Sequence, residues 1–198
     1  PWLPHTVLKN LTSSLWYGFG VFMIPFSYFS DQIIGIKTAG LILTFFALTA
    51  YYIVVRRHSI VWPWLWPLLL FFTAPNVLFT FLMTRPQLIS FGLAMLLFSF
   101  LLSGGWLWVF LTSFGIVWFH MNFAWLPIVI LGGVVLVKLF MEKRMYWKNI
   151  AAVISGILLG WLLRPEALKA AKLFYVQIFK LIFEKQGGLP LLFGNENL

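Results

Sequence analysis

Few residues in this 198-residue chain can do chemistry, and they are easily named. Arg85 stands in the step Thr84-Arg85-Pro86-Gln87, inside the stretch 60–103 that otherwise carries no charge. Proline removes a backbone donor and breaks a helix, and a guanidinium matches phosphate oxygens in pairs. A broken helix carrying threonine, arginine and glutamine is a candidate anion site; the plain alternative is an interfacial arginine snorkelling to headgroups. His120 and Asn122 lie between two apolar runs, flanked by Trp118 and Trp125. Histidine serves as base, phosphate ligand or metal ligand. Two residues apart on a helix, these side chains diverge by about 200°, so they share a target only where the backbone is broken. Arg164 and Glu166 flank Pro165, and Asp31 is the only aspartate. His120, Asp31 and Glu166 are thus the candidates for proton transfer, with no catalytic residue assigned outright. Arg85, Gln87, Asn122 and Arg164 are the candidates for phosphate or substrate binding.

Each has a bland counterpart. Asp31 can simply end a span, Arg164 and Glu166 can close one run and cap the next helix, and His120 with Asn122 can be a hydrogen-bonded interfacial pair. A lone histidine without an acidic neighbour makes a poor metal site, so no metal ligand is named. Paired-carboxylate chemistry is disfavoured because the remaining acids, Glu142, Glu184 and Glu196, are scattered. No phosphate-cradling glycine loop, nucleophile elbow or HExxH occurs.

The elements that must position these residues follow from composition. Hydrophobic residues are 62% of the chain and charged residues 10%, against roughly 45–50% and about 25% in soluble domains. That much apolar surface needs an apolar solvent. Continuous runs rather than alternation disfavour a barrel. The expected fold is all-α: a polytopic transmembrane bundle of about seven spans over 1–163, then an amphipathic interfacial helix and polar tail over 164–198. The runs are 11–30 (interrupted by Pro25), 33–55, 60–82, 87–103, 106–120, 123–141 and 149–163. Beyond them, Lys169, Lys172 and Lys180 oppose Leu168, Tyr175, Ile178, Phe179 and Ile182 at helical spacing, the pattern of a helix lying in the interface. Gly18 with Gly20, or Gly132 with Gly133, are expected to permit close helix packing. Helix breaks are expected near Pro75 and Pro86.

The net charge of +9, from 14 basic and 5 acidic residues, would suggest nucleic acid in a soluble protein. Here the cations sit at the ends of apolar runs, where topology and anionic lipid explain them, and no nucleic acid is expected. Two basic clusters, 56–58 and 142–148, belong on the cytoplasmic side by the positive-inside rule. Trp62, Trp64 and Trp66 then form an aromatic belt beside the first. Residues 84–87, 118–122, 164–166 and Asp31 all fall on the outer face. There are no cysteines, which removes thiol chemistry. The chain opens at Pro1 rather than Met, which leaves room for an upstream segment.

The run TRPQLISFGLAMLLFSFLL, followed by WFHMNFAWLPIVILGG, resembles the middle of GT-C type polytopic membrane glycosyltransferases, and PWLPHTVLKNLTSSLWYGFG is similar to the segment after their first large outer loop. LRPEALKAAKLF matches their turn before an amphipathic stretch. The resemblance implies inverting sugar transfer from a polyprenyl-phosphate donor at the outer face, with or without a divalent metal; no other cofactor is evident. It puts Arg85, and with it His120, on the donor phosphate. The order His120 then Asn122 departs from the family's Asn before His, and the family's acidic base would lie before Pro1. The resemblance also sets Pro1–His5 outside, whereas charge parity from Arg56 sets them inside; either one assignment is wrong or 11–30 does not cross fully. The expected partners are the bilayer, a polyprenyl-phosphate lipid and other membrane subunits, in the bacterial plasma (inner) membrane. Two rivals are a non-catalytic subunit of a larger membrane complex and a transporter or lipid-handling protein whose broken helices line a path.

Overall fold

The computed structural model describes residues 14–73, 75–143 and 145–175, and these are all-helical, with no strand among them. The helices are α1 (Tyr17–Met23), α2 (Gln32–Arg57), α3 (Leu65–Phe72), α4 (Pro75–Leu82), α5 (Pro86–Ser103), α6 (Trp106–Phe119), α7 (Leu126–Glu142), α8 (Trp147–Leu162) and α9 (Ala167–Tyr175). Trp16–Arg164 makes one compact unit, and α9 belongs to another. Among the described residues three helical stretches are long and apolar enough to cross a membrane: α2, α5 and Met121–Glu142. The number becomes four if α8 and α9 count as one broken span.

Two of the seven expected runs are not single helices. In 11–30, the described part is the seven-residue α1 followed by a 3₁₀ turn, Ile24–Tyr28, with Pro25 in its first turn. The run 60–82 divides into α3 and α4, each of eight residues. The rings of Phe71 and Phe81 are 6.0 Å apart, whereas ten residues of straight helix would separate them by about 15 Å, so the chain bends sharply between them. Proline places these starts: Pro75 opens α4, and prolines lie in the first turns of α5 and α7, where a missing N–H costs nothing.

Helix α5 is central. Its partner α2 runs parallel to it, since contacts advance together along both: Gly40 against Thr84, Gly92 against Phe46, Tyr51 against Phe91, His58 against Ser99. A Cβ on Gly40 would sit 2.7 Å from Thr84 Oγ1 and one on Gly92 2.6 Å from Phe46. Small residues therefore set this approach, as in membrane helix pairs generally. Two side chains tie α2 to the chain that leads into α5: Thr84 Oγ1, between α4 and α5, donates to Ile36 O at 2.9 Å, and Thr44 Oγ1 donates to Phe81 O of α4 at 2.5 Å.

Helix α5 ends on Gly104, whose φ of 84° lets the chain turn at once into the antiparallel α6. Helix α8 then lies parallel to α6, with Gly156 against Phe110 O and Gly160 against Phe114 O, each 2.7 Å from a built Cβ. Leu97, Leu101, Val109, Ile116 and Val153 fill the core between α5, α6 and α8. On the outside, large apolar side chains such as Phe45, Leu136 and Phe140 are exposed. Only 11% of the apolar window of Met121–Glu142 is buried, which suits a surface facing hydrocarbon.

These directions sort the polar residues by end. The starts of α2, α5 and α7 and the ends of α6 and α8 share one end, with Asp31, Arg85, Gln87, His120, Asn122 and Arg164. The opposite end carries Arg56, Arg57, Lys138, Lys143 and Lys148. Gly18 packs as expected, 2.4 Å from Trp118 for a built Cβ, but Gly20, Gly132 and Gly133 face open space.

Candidate functional site

The site forms where α5 begins and α6 ends. Arg85 takes an extended backbone, φ −129° and ψ 144°, as the residue before a proline must. Its side chain is exposed and meets no carboxylate among the described residues. From Pro86 the helix runs inward, and Gln87, Ser90, Phe91, Ala94 and Met95 follow at helical spacing along one face. That face borders a cavity of about 610 Å³, within the range of ordinary ligand sites. Its other walls are apolar side chains such as Leu70, Phe81, Phe123, Leu126 and Ile130. Among the described residues its polar groups are Thr80, Gln87 and Ser90. The cavity thus grades from polar to apolar along α5.

His120 closes α6 and backs this polar end. Its N–H reaches Ile116 O at 2.9 Å, the last bond of the helix, and its backbone then extends to φ −148° and ψ 84°. Its carbonyl accepts from Phe123 N at 3.0 Å and starts the 3₁₀ turn Met121–Phe123. The break required for His120 and Asn122 to act together is therefore present. The imidazole is 3% exposed, with Phe123 edge-on at 4.4 Å and Trp16 at 6.4 Å. Nδ1 is 3.4 Å from Ser90 Oγ, a long contact inside hydrogen-bond range. Lying between the two helices, His120 is pushed down to about 4 by burial and is neutral at pH 7. Ser90, 1% exposed, is also 3.4 Å from Pro86 O.

Two amides stand close by without hydrogen-bond partners among the described residues: Gln87 Oε1 and Asn122 Oδ1, both buried. Buried polar atoms are usually satisfied, so each is an opening for a ligand group or water. Gln87 borders the cavity, and Asn122 is not among its lining residues.

The other candidates are placed differently. Arg164, 4% exposed, donates from Nη2 to Val117 O at 2.5 Å and to Trp118 O at 3.4 Å. These carbonyls lie in the last turn of α6, where no intrahelical amide reaches them and where a cation suits the helix dipole. Arg164 thus faces the end of α6, and it does not line the cavity. Asp31 caps α2, accepting from Ile33 N at 2.8 Å. Glu166 belongs to the other unit and pairs with Lys169 at 2.5 Å. Among the described residues no group of three or more His, Cys, Asp or Glu is placed to hold a metal. Sequence reasoning missed Ser90. Its signal was the spacing from Gln87, one turn earlier on the same face, in a run where serine is easily passed over as filler.

Compared with known proteins, the chain matches no family model, no curated protein and no solved structure.

Proposed function

We propose that this protein takes a polyprenyl-phosphate lipid at the outer face of the membrane, as the membrane module of a GT-C-like glycosyltransferase does. The observation that carries the reading is the cavity along α5, apolar for most of its length and polar at Gln87 and Ser90, where the helix begins just after Arg85, itself exposed and not a lining residue. The isoprenoid chain lies against Phe91, Ala94 and Met95, and the phosphate meets Arg85. His120 holds the Ser90 hydroxyl toward the head, and Gln87 and Asn122 offer amides to its hydroxyls. With the basic end inside, the polar end lies outside. Counting α3 and α4 as one bent crossing, α2 to α8 make six passes. The seventh of the expected spans, 11–30, rests on α1 and the residues before it. The bacterial plasma membrane is the location this reading implies.

A second reading is supported by the carboxylates. Among the described residues no carboxylate borders the cavity, Asp31 is a helix cap and Glu166 is ion-paired. The chain then binds the lipid without transferring sugar, as a lipid-handling protein or a subunit of a larger complex. The two readings part in one experiment: Arg85→Ala and His120→Ala assayed for polyprenyl-linked sugar transfer, and for capture of a photoactivatable polyprenyl phosphate. Transfer reduced at least tenfold in both supports the enzyme. Capture that depends on Arg85 with no transfer by the unaltered protein supports the second reading, and capture indifferent to Arg85 sinks both.

A further inference from the structure

A second apolar recess lies between α5 and α7, toward the opposite, basic end, and of the residues that line the cavity above it shares Ile130. It encloses about 460 Å³ and is lined by Phe98, Leu102, Gly133, Val134 and Val137 among others, without one polar side chain among the described residues. The positions on α7 are spaced so that Lys138 continues the same face, four residues beyond Val134. Its ammonium donates to Leu102 O at 3.0 Å, and Leu102 also lines the recess. The same ammonium lies 4.1 Å from the centre of the Tyr146 ring. A lysine ammonium has three protons, and one carbonyl and one ring face leave it able to take an anion. The facing charges are known: Glu142 is one turn further along and accepts from Tyr146 Oη, and no ion pair joins it to Lys138 among the described residues. Arg56, Arg57, Lys143 and Lys148 make the surrounding end strongly positive.

The geometry points to a site for one anionic phospholipid, an acyl chain in the α5–α7 recess and its phosphate on Lys138. An apolar slot open to the bilayer and ending in a part-buried cation on the basic side is what such a lipid requires. The glycine makes the slot: a Cβ on Gly133 would touch nothing within 4 Å, so a larger side chain there fills the recess without striking the fold.

The test is native mass spectrometry of the full chain released from micelles containing equal phosphatidylglycerol and phosphatidylcholine. The expected result is one retained lipid per chain, with phosphatidylglycerol favoured at least fivefold. Lys138→Ala is expected to erase the preference while leaving chain binding, and Gly133→Phe to lose both lipids. Lys143→Ala, whose side chain is exposed at the end of α7, is expected to keep the preference. Equal retention of the two lipids by the unaltered protein overturns the site. So does a preference that survives Lys138→Ala, or one that falls as far in Lys143→Ala. The same series in an Arg85→Ala background is expected to keep the Lys138-dependent preference, so that lipid held at the outer-face cavity does not enter the result; a preference lost with Arg85→Ala alone overturns the site.

Discussion

Helices α7 and α8 each carry two glycines, and the two helices use them in opposite ways. On α8, Gly156 and Gly160 are spaced four apart and lie against the backbone of α6. On α7, Gly132 and Gly133 are adjacent, and a Cβ on either would meet nothing within 4 Å among the described residues. The first pair lets two backbones touch along a seam; the second lowers the surface and leaves a recess for hydrocarbon. In an apolar solvent there is no hydrophobic force between helices, so close approach and carbonyl contacts decide which faces pair. The seam also reaches the candidate site. One turn after Gly160 comes Arg164, which caps the end of α6 beside His120. Packing on α8 thereby fixes the place where α6 stops.

The largest expected effect breaks the seam. Gly160→Leu must move Phe114 O, 2.7 Å from the new Cβ, and Val117, 3.1 Å away. Overpacking against backbone costs about 3 kcal/mol or more, read as a fall in the midpoint of denaturant unfolding in micelles. A variant as stable as the parent would mean that α6 and α8 are not held by this contact. Next comes Arg164→Ala, which leaves the buried Val117 and Trp118 carbonyls without their donor and costs about 2 kcal/mol. Arg164→Lys recovers part of the loss, because an ammonium replaces the charge but not the flat fork. If Ala and Lys behave alike, the cap is not electrostatic.

A smaller effect tests the polar end. Burial holds the His120 imidazole near 4, below its ordinary 6.5. Between those values the unfolded chain binds a proton that the folded chain does not, so stability rises with pH across that window. His120 therefore contributes no penalty above about pH 6.5 and a growing one as pH falls toward 4. His120→Gln is expected to flatten the unfolding midpoint over this range. An unchanged slope would assign the pH dependence to other groups.

What the sequence disclosed was decided by contrast against its background. Charges are rare here, so Asp31, Arg85, His120 and Arg164 stood out, and alternating chain direction was enough to gather them at one end. The break at 73–75 was harder to read, because α3 is apolar all round and has no polar face whose phase could be compared with that of α4. Pro75 was the available signal, and it marked a helix start rather than a kink inside a span. The glycines failed for a related reason. Composition shows which positions are small, but only the partner's location distinguishes a seam from a recess. Ser90, spaced one turn from Gln87, was passed over for the same cause, since its meaning depends on His120, thirty residues away.

The smallest effect completes the contrast between the two glycine pairs. Gly132→Ala adds a methyl to open space on a helix face and removes the backbone freedom of glycine. Alanine is favoured over glycine inside helices by about 1 kcal/mol, while the added methyl gains little where the neighbours are lipid. The expected outcome is a stability equal to the parent's or greater by up to about 1 kcal/mol. Gly156→Ala, by contrast, places the same methyl 2.7 Å from Phe110 O and 2.9 Å from Ser113 Cβ, so the identical change must destabilise. Measured side by side, the two substitutions isolate the neighbour as the only variable. Opposite signs would support the difference between seam and recess, and a loss at both positions would mean that Gly132 has a packing partner of its own.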